Sequence, residues 1–297
     1  MVRLYHRMAN YEQVIACQTR ALEVVVQELG PHHPHVADAK MNLAVAYHEQ
    51  GKFEQAFELL QGAEQVMLEH YGTSHPSTSL TQDNMAWSLL ELGRAAEALV
   101  YADKALEGRR SALGNHNMDT AFSRITRSQS LVALGRFQDA VDELVRAEPD
   151  ADNSFNLGYL YHVWGQAALG LEQLPLARAQ FERALQFRQE TGSKADEAGR
   201  TLIGLSKACH ALQQREDARR FVGQAVTTLT TGLGNEHADT RKAVTWQQEL
   251  EADSCAADDQ EEGLATVQSR GAESSASLAR GADVAGRAQT SGCCHIL

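Results

Sequence analysis

The sequence predicts an all-α protein, a right-handed α-solenoid of stacked antiparallel helix pairs followed by a disordered C-terminal tail. Two recurring markers and the composition carry this expectation. A glycine linker runs Leu29-Gly30-Pro31-His32-His33-Pro34, then Tyr71-Gly72-Thr73-Ser74-His75-Pro76, then Leu113-Gly114-Asn115-His116-Asn117-Met118, at a spacing of 42 residues, and returns as Leu233 to Ala238. A second marker keeps the same beat: Gly51 to Ala56, Gly93 to Ala98, Gly135 to Ala140. A fixed period of this length means stacked repeats rather than one compact core. Five prolines and 6 % aromatic residues among 297 lean the same way, since proline breaks helices and aromatics favour strands.

The chain begins part-way through a unit, because Leu4-Tyr5-His6 lines up with Ala46-Tyr47-His48. Residues 1–34 are therefore read as a partial repeat, ending in a second helix and its linker. The first complete unit covers about 35–76. Leu43, Ala44 and Tyr47 share one face of its first helix, and Ala56, Leu59, Leu60 and Ala63 share one face of its second. The small residues let the two helices approach closely, and Gly51 tolerates the left-handed turn between them. Pro34 and Pro76 stand where a first helical residue needs no amide donor. Asp119 and Asp239 sit where the positive end of a helix dipole favours an acid.

Further units follow at about 77–118, 119–153, 154–193 and 194–234. Between Gly135 and its equivalent Glu172 the spacing falls to 37, and the linker becomes Glu148-Pro149-Asp150-Ala151-Asp152-Asn153. A shortened second helix and a change of superhelical pitch are expected there. A polar capping helix is read at 238–251, closing a solenoid over 1–251. From 252 to 297 the chain is Ala, Ser, Gly, Asp, Glu and Gln with isolated Leu and Val, too little apolar surface to offset ordering entropy.

Charge and cysteine usage remove several classes. Twenty-seven basic against 39 acidic residues give a net charge of −12, which repels phosphate backbones, so no nucleic acid partner is expected. No signal-peptide run follows Met1, and no stretch approaches a membrane span. The cysteines are Cys17, Cys209, Cys255, Cys293 and Cys294; an odd set with an adjacent pair fits a reducing cytoplasm rather than a disulfide framework. No phosphate loop, zinc-protease helix, nucleophile elbow or Cys-x-x-Cys occurs, so neither an enzyme nor a cofactor is expected. His32, His33, His35 and His75 cluster, yet they fall on the linker with no Cys or carboxylate at ligand spacing, and no metal site is assigned.

The units resemble the tetratricopeptide repeat in the 42-residue form of kinesin light chains. Ala44, Tyr47, Ala56 and Ala63 match the family pattern, as do Trp164-Gly165 with Ala177 and Ala184. The alanine pair recurs at Ala98/Ala105, Ala140/Ala147 and Ala218/Ala225. The resemblance covers about residues 1–250. Arg127 departs from it, standing where the family has Leu, which either weakens the third unit's first helix or turns a charge toward a groove.

What the resemblance implies is a concave surface, lined by first helices, that holds extended peptides. Its paired asparagines match at the second position only, as Asn42 and Asn84, while Met41, Asp83 and Ile125-Thr126 depart. An amide offers a peptide backbone both donor and acceptor, though these residues also read as plain exposed helix positions. Projecting the repeat phase inward adds Leu80, Trp87, Phe122, Tyr159, His162, Arg200 and Lys207. The aromatic row is either a set of hot spots or ordinary packing between first helices. With only Arg200 and Lys207 supplying charge, apolar or basic ligands are expected over acidic ones.

The chain end, Cys294-His295-Ile296-Leu297, fits a prenylation pattern with Cys293 as a second acyl site, giving peripheral membrane attachment through a lipid. His295 and the absence of a polybasic run leave a chance ending open. The leading expectation is a non-catalytic protein–protein interaction adaptor or scaffold. Two finer alternatives stand beside it: a kinesin-light-chain-like motor cargo adaptor, and a regulatory arm of a larger NTPase or protease sensor.

Overall fold

The computed structural model describes residues 11–151, 154–192 and 194–253. The chain divides into two compact units, Met1–Val244 and Thr245–Leu297. In the second, the described residues 245–253 are helical. The rest of the expected tail, with Cys293 and Cys294, lies outside the described residues.

The first unit is an α-solenoid, and no strand occurs among the described residues. After α1 (Tyr11–Leu29) come five antiparallel pairs: α2 (Pro34–Glu49) with α3 (Phe53–Tyr71), α4 (Pro76–Glu91) with α5 (Ala95–Leu113), α6 (Met118–Ala133) with α7 (Phe137–Ala147), α8 (Ser154–Gly170) with α9 (Leu174–Thr191), and α10 (Ala195–Ala211) with α11 (Arg215–Leu233). Residues 238–244 begin α12. Each helix packs on its chain neighbours. The first helices of successive pairs, α2, α4, α6, α8 and α10, also touch one another, and they form the inner layer.

Both markers act through backbone geometry. Gly51, Gly93 and Gly135 turn each pair at φ of 80°, 73° and 73°. The same turns in the fourth and fifth pairs fall on Glu172 and Gln213, held at φ of 58° and 61° without glycine's freedom. In the linker, the recurring histidine is a helix cap: Nδ1 of His33, His75 and His237 accepts from the amide two residues on, at 3.2 Å each. Asn117 does the same through Oδ1 at 2.8 Å. A threonine then closes the linker, Thr78, Thr120 and Thr240 donating to the glycine carbonyls of Gly72, Gly114 and Gly234.

The alanines let helices interlock. Ala44, Ala56, Ala86, Ala98 and Ala102 surround Phe57, Leu60, Met85 and Leu89 in one buried cluster. In the fourth pair Gly165 lies so close to the Phe181 ring that a Cβ would stand 2.8 Å from it. The second helix of the third pair is short, 11 residues, and ends in the 3-10 turn Glu148–Asp150. Proline there removes an amide donor from the helical ladder. Arg127 turns into a cleft between α5 and α7 rather than toward the inner layer, its guanidinium 2.6 Å from Asp103 and 3.5 Å from Glu143.

Candidate functional site

The inner layer encloses a cavity of about 560 Å³. Its aromatic wall comes from three successive inner helices. Trp87 of α4 lies 5.8 Å from Phe122 of α6 and 5.3 Å from Tyr159 of α8, between ring centroids, with His48 of α2 6.4 Å on the other side. The Trp87 indole donates to Thr126 Oγ1 at 3.3 Å, which holds the ring's polar edge off the cavity. Asn84, Gln129 and Gln166 add one amide from each of α4, α6 and α8.

The far side is the start of α10. Lys194 ion-pairs with Glu49 of α2, and Arg200 bridges Glu91 of α4 at 2.6 Å and Asp239 at 2.7 Å. Helices more than a hundred residues apart in sequence thus face each other across the cavity. Burial works against the Arg200 charge, but Glu91 and Asp239 hold its proton on well above the ordinary value. Partial desolvation opposes the charge of Lys194, which is still 62 % exposed, and its bond to Glu49 outweighs that.

Other groups are shifted the other way. Burial, reinforced by Arg188 and Arg200, holds the His162 imidazole far below its usual range, so it is neutral and shares a 3.0 Å hydrogen bond with Thr201. Burial likewise lowers His48 and raises the Tyr159 phenol. Arg188 of α9 is pushed down to about 10 by burial, against the pull of Glu197 and Asp196, and remains charged at neutral pH. Three of these groups leave buried atoms without a hydrogen bond: His48 Nε2, the Tyr159 hydroxyl, and Arg188 Nε and Nη1.

Of the inward-facing residues read from the repeat phase, Asn84, Trp87, Tyr159, His162 and Arg200 line this cavity together. Phe122 stands behind them against Trp87 and Tyr159. Asn42 and Lys207 are exposed and outside the lining, as is Leu80. The cavity's cations are Arg188, Lys194 and Arg200 rather than Arg200 and Lys207, and Glu49, Glu91, Asp196 and Glu197 accompany them. Lys194 and Glu49 escaped the sequence reading because their pairing crosses the cavity and leaves no periodic trace. Arg188 did leave a signal, an arginine where the first and fifth pairs place Met67 and Leu229. Among the described residues no group of His, Cys, Asp and Glu is placed to hold a metal, and no helix is long and apolar enough to cross a membrane.

Sequence comparison agrees with this architecture. The tetratricopeptide-repeat family model matches residues 1–69, 36–111 and 77–150, together just over half of the chain, and the chain belongs to that family. No curated protein matches its sequence. Among solved structures it is similar to BtubC (BKLC) from P. vanneervenii, with 18 % identity over 74 % of this chain and 91 % of that one, at a TM-score of 0.55. A putative kinesin light chain from Podosopora anserina with nearly identical repeats shows 20 % identity, 67 % and 97 % coverage and a TM-score of 0.51. A Rap protein complexed with competence and sporulation factor shows 12 % identity, 85 % and 74 % coverage and a TM-score of 0.61. Identities this low speak for the fold alone.

Proposed function

We propose that the chain is a non-catalytic interaction module that takes an extended segment of another protein into the inner cavity. The observation that carries this reading is the ladder of amides, Asn84, Gln129 and Gln166, one from each of three adjacent inner helices. Each offers a donor and an acceptor, which is what a peptide backbone presents in return, whatever its sequence. Beside them the Trp87 and Tyr159 rings and the exposed Val45 give apolar side chains a surface to bury against. Rigid aromatic anchors of this kind carry much of the energy in peptide and protein recognition. The segment this lining favours is apolar over most of its length, with basic residues tolerated beside Asp196 and Glu197. Its setting as adaptor or scaffold is cytoplasmic in this reading, and lipid attachment through Cys294 would bring the module to a membrane surface.

The test uses immobilised pools of random hexapeptides and the full chain. Wild-type protein is expected to be retained, and a Val45→Arg/Asn84→Ala variant to lose at least about tenfold in retention, since one anchor surface and one backbone partner are gone. Equal retention by the variant, with an unchanged thermal midpoint, would place binding elsewhere.

A further inference from the structure

Arg127 belongs to a cleft on the outer layer, away from the inner cavity. The cleft measures about 810 Å³ and lies between α5 and α7, with α6 behind them; Pro149, which stops α7 short, lines it too. One repeat earlier the corresponding gap is closed by apolar packing. There Tyr101 of α5 packs against Phe57 of α3, with ring centroids 6.1 Å apart, and Met85 of α4 is fully buried. In the next repeat Glu143 takes the place of Tyr101, and Arg127 that of Met85, each 42 residues on. A ring and a thioether are exchanged for charged groups, and the space between the outer helices stays open.

Four arginines line the cleft: Arg110 from α5, Arg124 and Arg127 from α6, and Arg146 from α7. The carboxylate of Glu143, 7 % exposed, sits among three of them, 2.7 Å from Arg124, 2.6 Å from Arg146 and 3.5 Å from Arg127. Asp103 takes a second contact from Arg127 at 2.6 Å. Asn115 Oδ1, which carries no charge, accepts from both Arg110 and Arg124, at 3.0 and 3.3 Å. Glu107 is mostly exposed and reaches Arg110 at only 3.4 Å. Four cations thus share two close carboxylates, in a chain whose net charge is −12. The two rim cations face water: the Arg110 and Arg146 side chains are 46 % and 61 % exposed, and Arg146 engages Glu143 through Nη1 alone.

We propose that this cleft docks a phosphorylated serine or threonine of a partner protein, its phosphate bridging Arg110 and Arg146. The surface is separate from the inner cavity and stands without the peptide-binding reading above. A phosphate monoester carries a charge of about −1.5 to −2 at pH 7 and three acceptor oxygens, enough to take donors from both rims. A carboxylate brings a single charge to a cleft that already holds Asp103, Glu107 and Glu143. An apolar side chain would desolvate the arginines and return no hydrogen bond. The bond to Glu143 holds Arg146 on its rim, which lowers the ordering cost of binding.

Three immobilised pools of random hexapeptides test this on the full chain, each with one fixed residue, serine, phosphoserine or glutamate, and otherwise free of Asp and Glu. The phosphoserine pool is expected to be retained about tenfold or more over the serine pool, less so as salt is added. Arg110→Gln/Arg146→Gln should bring it down to the serine level with an unchanged thermal midpoint, since both side chains are exposed. Glu107→Gln removes a rim acid and should raise phosphoserine retention about two- to threefold. Val45→Arg/Asn84→Ala should lose the serine pool and keep the phosphoserine pool, which separates this surface from the inner cavity. Equal retention of serine and phosphoserine pools would overturn the proposal, and so would a preference that survives in the double arginine variant. A lowered midpoint in that variant would leave Glu107→Gln to decide, with no gain counting against the cleft. Glutamate retained as well as phosphoserine would overturn the phosphate assignment. Release by inorganic phosphate at the concentration at which free phosphoserine peptide releases would make the ligand the free ion and overturn the protein partner. Binding to anionic phospholipid vesicles in place of the phosphoserine pool would overturn it in favour of a membrane.

Discussion

Replacing Asp83 by alanine should destabilise the protein more than replacing Asp83 and Arg109 together. The pair is almost wholly dry, with side chains 1 % and 4 % exposed and a separation of 2.9 Å. Burial lifts the Asp83 carboxyl to about 6, against Arg109 and the Ser123 hydrogen bond, so at pH 7 it is mostly ionised and the pair is charged. At an effective dielectric of about 20 the attraction is roughly 6 kcal/mol, and desolvation of both groups offsets most of it. Removing the carboxylate alone leaves the Arg109 charge buried without it, at a cost of about 3–5 kcal/mol. The first pair shows what the same two positions accept without charge, Met41 and Met67. Asp83→Met/Arg109→Met should accordingly lie within about 1 kcal/mol of wild type, or above it. Urea unfolding followed by far-ultraviolet circular dichroism at pH 7 measures all three proteins, with the slope checked for constancy. A double variant as unstable as Asp83→Ala would refute the reasoning, because the penalty would then come from lost packing and not from an orphaned charge.

Three further outcomes follow from the geometry. Glu172→Gly and Gln213→Gly should each raise stability by about 0.5–1 kcal/mol, since glycine relieves the left-handed strain that Gly51, Gly93 and Gly135 avoid; a lower unfolding midpoint would show that these turns are unstrained. Arg200→Ala should cost about 2–3 kcal/mol, because it strips a charged hydrogen bond from Asp239, which is 2 % exposed, whereas the exposed Lys194→Ala should cost under about 1 kcal/mol; equal losses in thermal unfolding would contradict the difference in burial. His162 stays neutral in the folded protein while the unfolded chain takes up its proton below about pH 6.5. Stability should therefore fall as pH drops below that value, by up to about 1.4 kcal/mol per pH unit from this residue, and His162→Gln should flatten the slope. An unchanged slope between pH 6.5 and 5 would assign the loss to other groups.

The helix-pair repeat was legible because its causes are local. A glycine at positive φ, a capping histidine or asparagine and a pair of small residues each act within a few positions, and each leaves a periodic mark. The inner aromatic row was legible for the same reason, since repeat phase alone brings Trp87, Phe122 and Tyr159 onto adjacent helices. The charged side of the cavity was not. Lys194 with Glu49 and Arg200 with Glu91 meet only because the stack curves round on itself, and no local rule links them. Arg127 shows the reverse limit: its departure from the repeat was visible, but its partners Asp103 and Glu143 depend on how α6 and its neighbours pack.

The most direct measurement of the central claim is a crystal structure of the full chain with a hexapeptide selected from the random pools. The account predicts an extended peptide along the inner layer, its backbone on the amides of Asn84, Gln129 and Gln166 and an apolar side chain against Trp87 and Tyr159. A peptide bound to the outer helices, with this cavity empty, would contradict it.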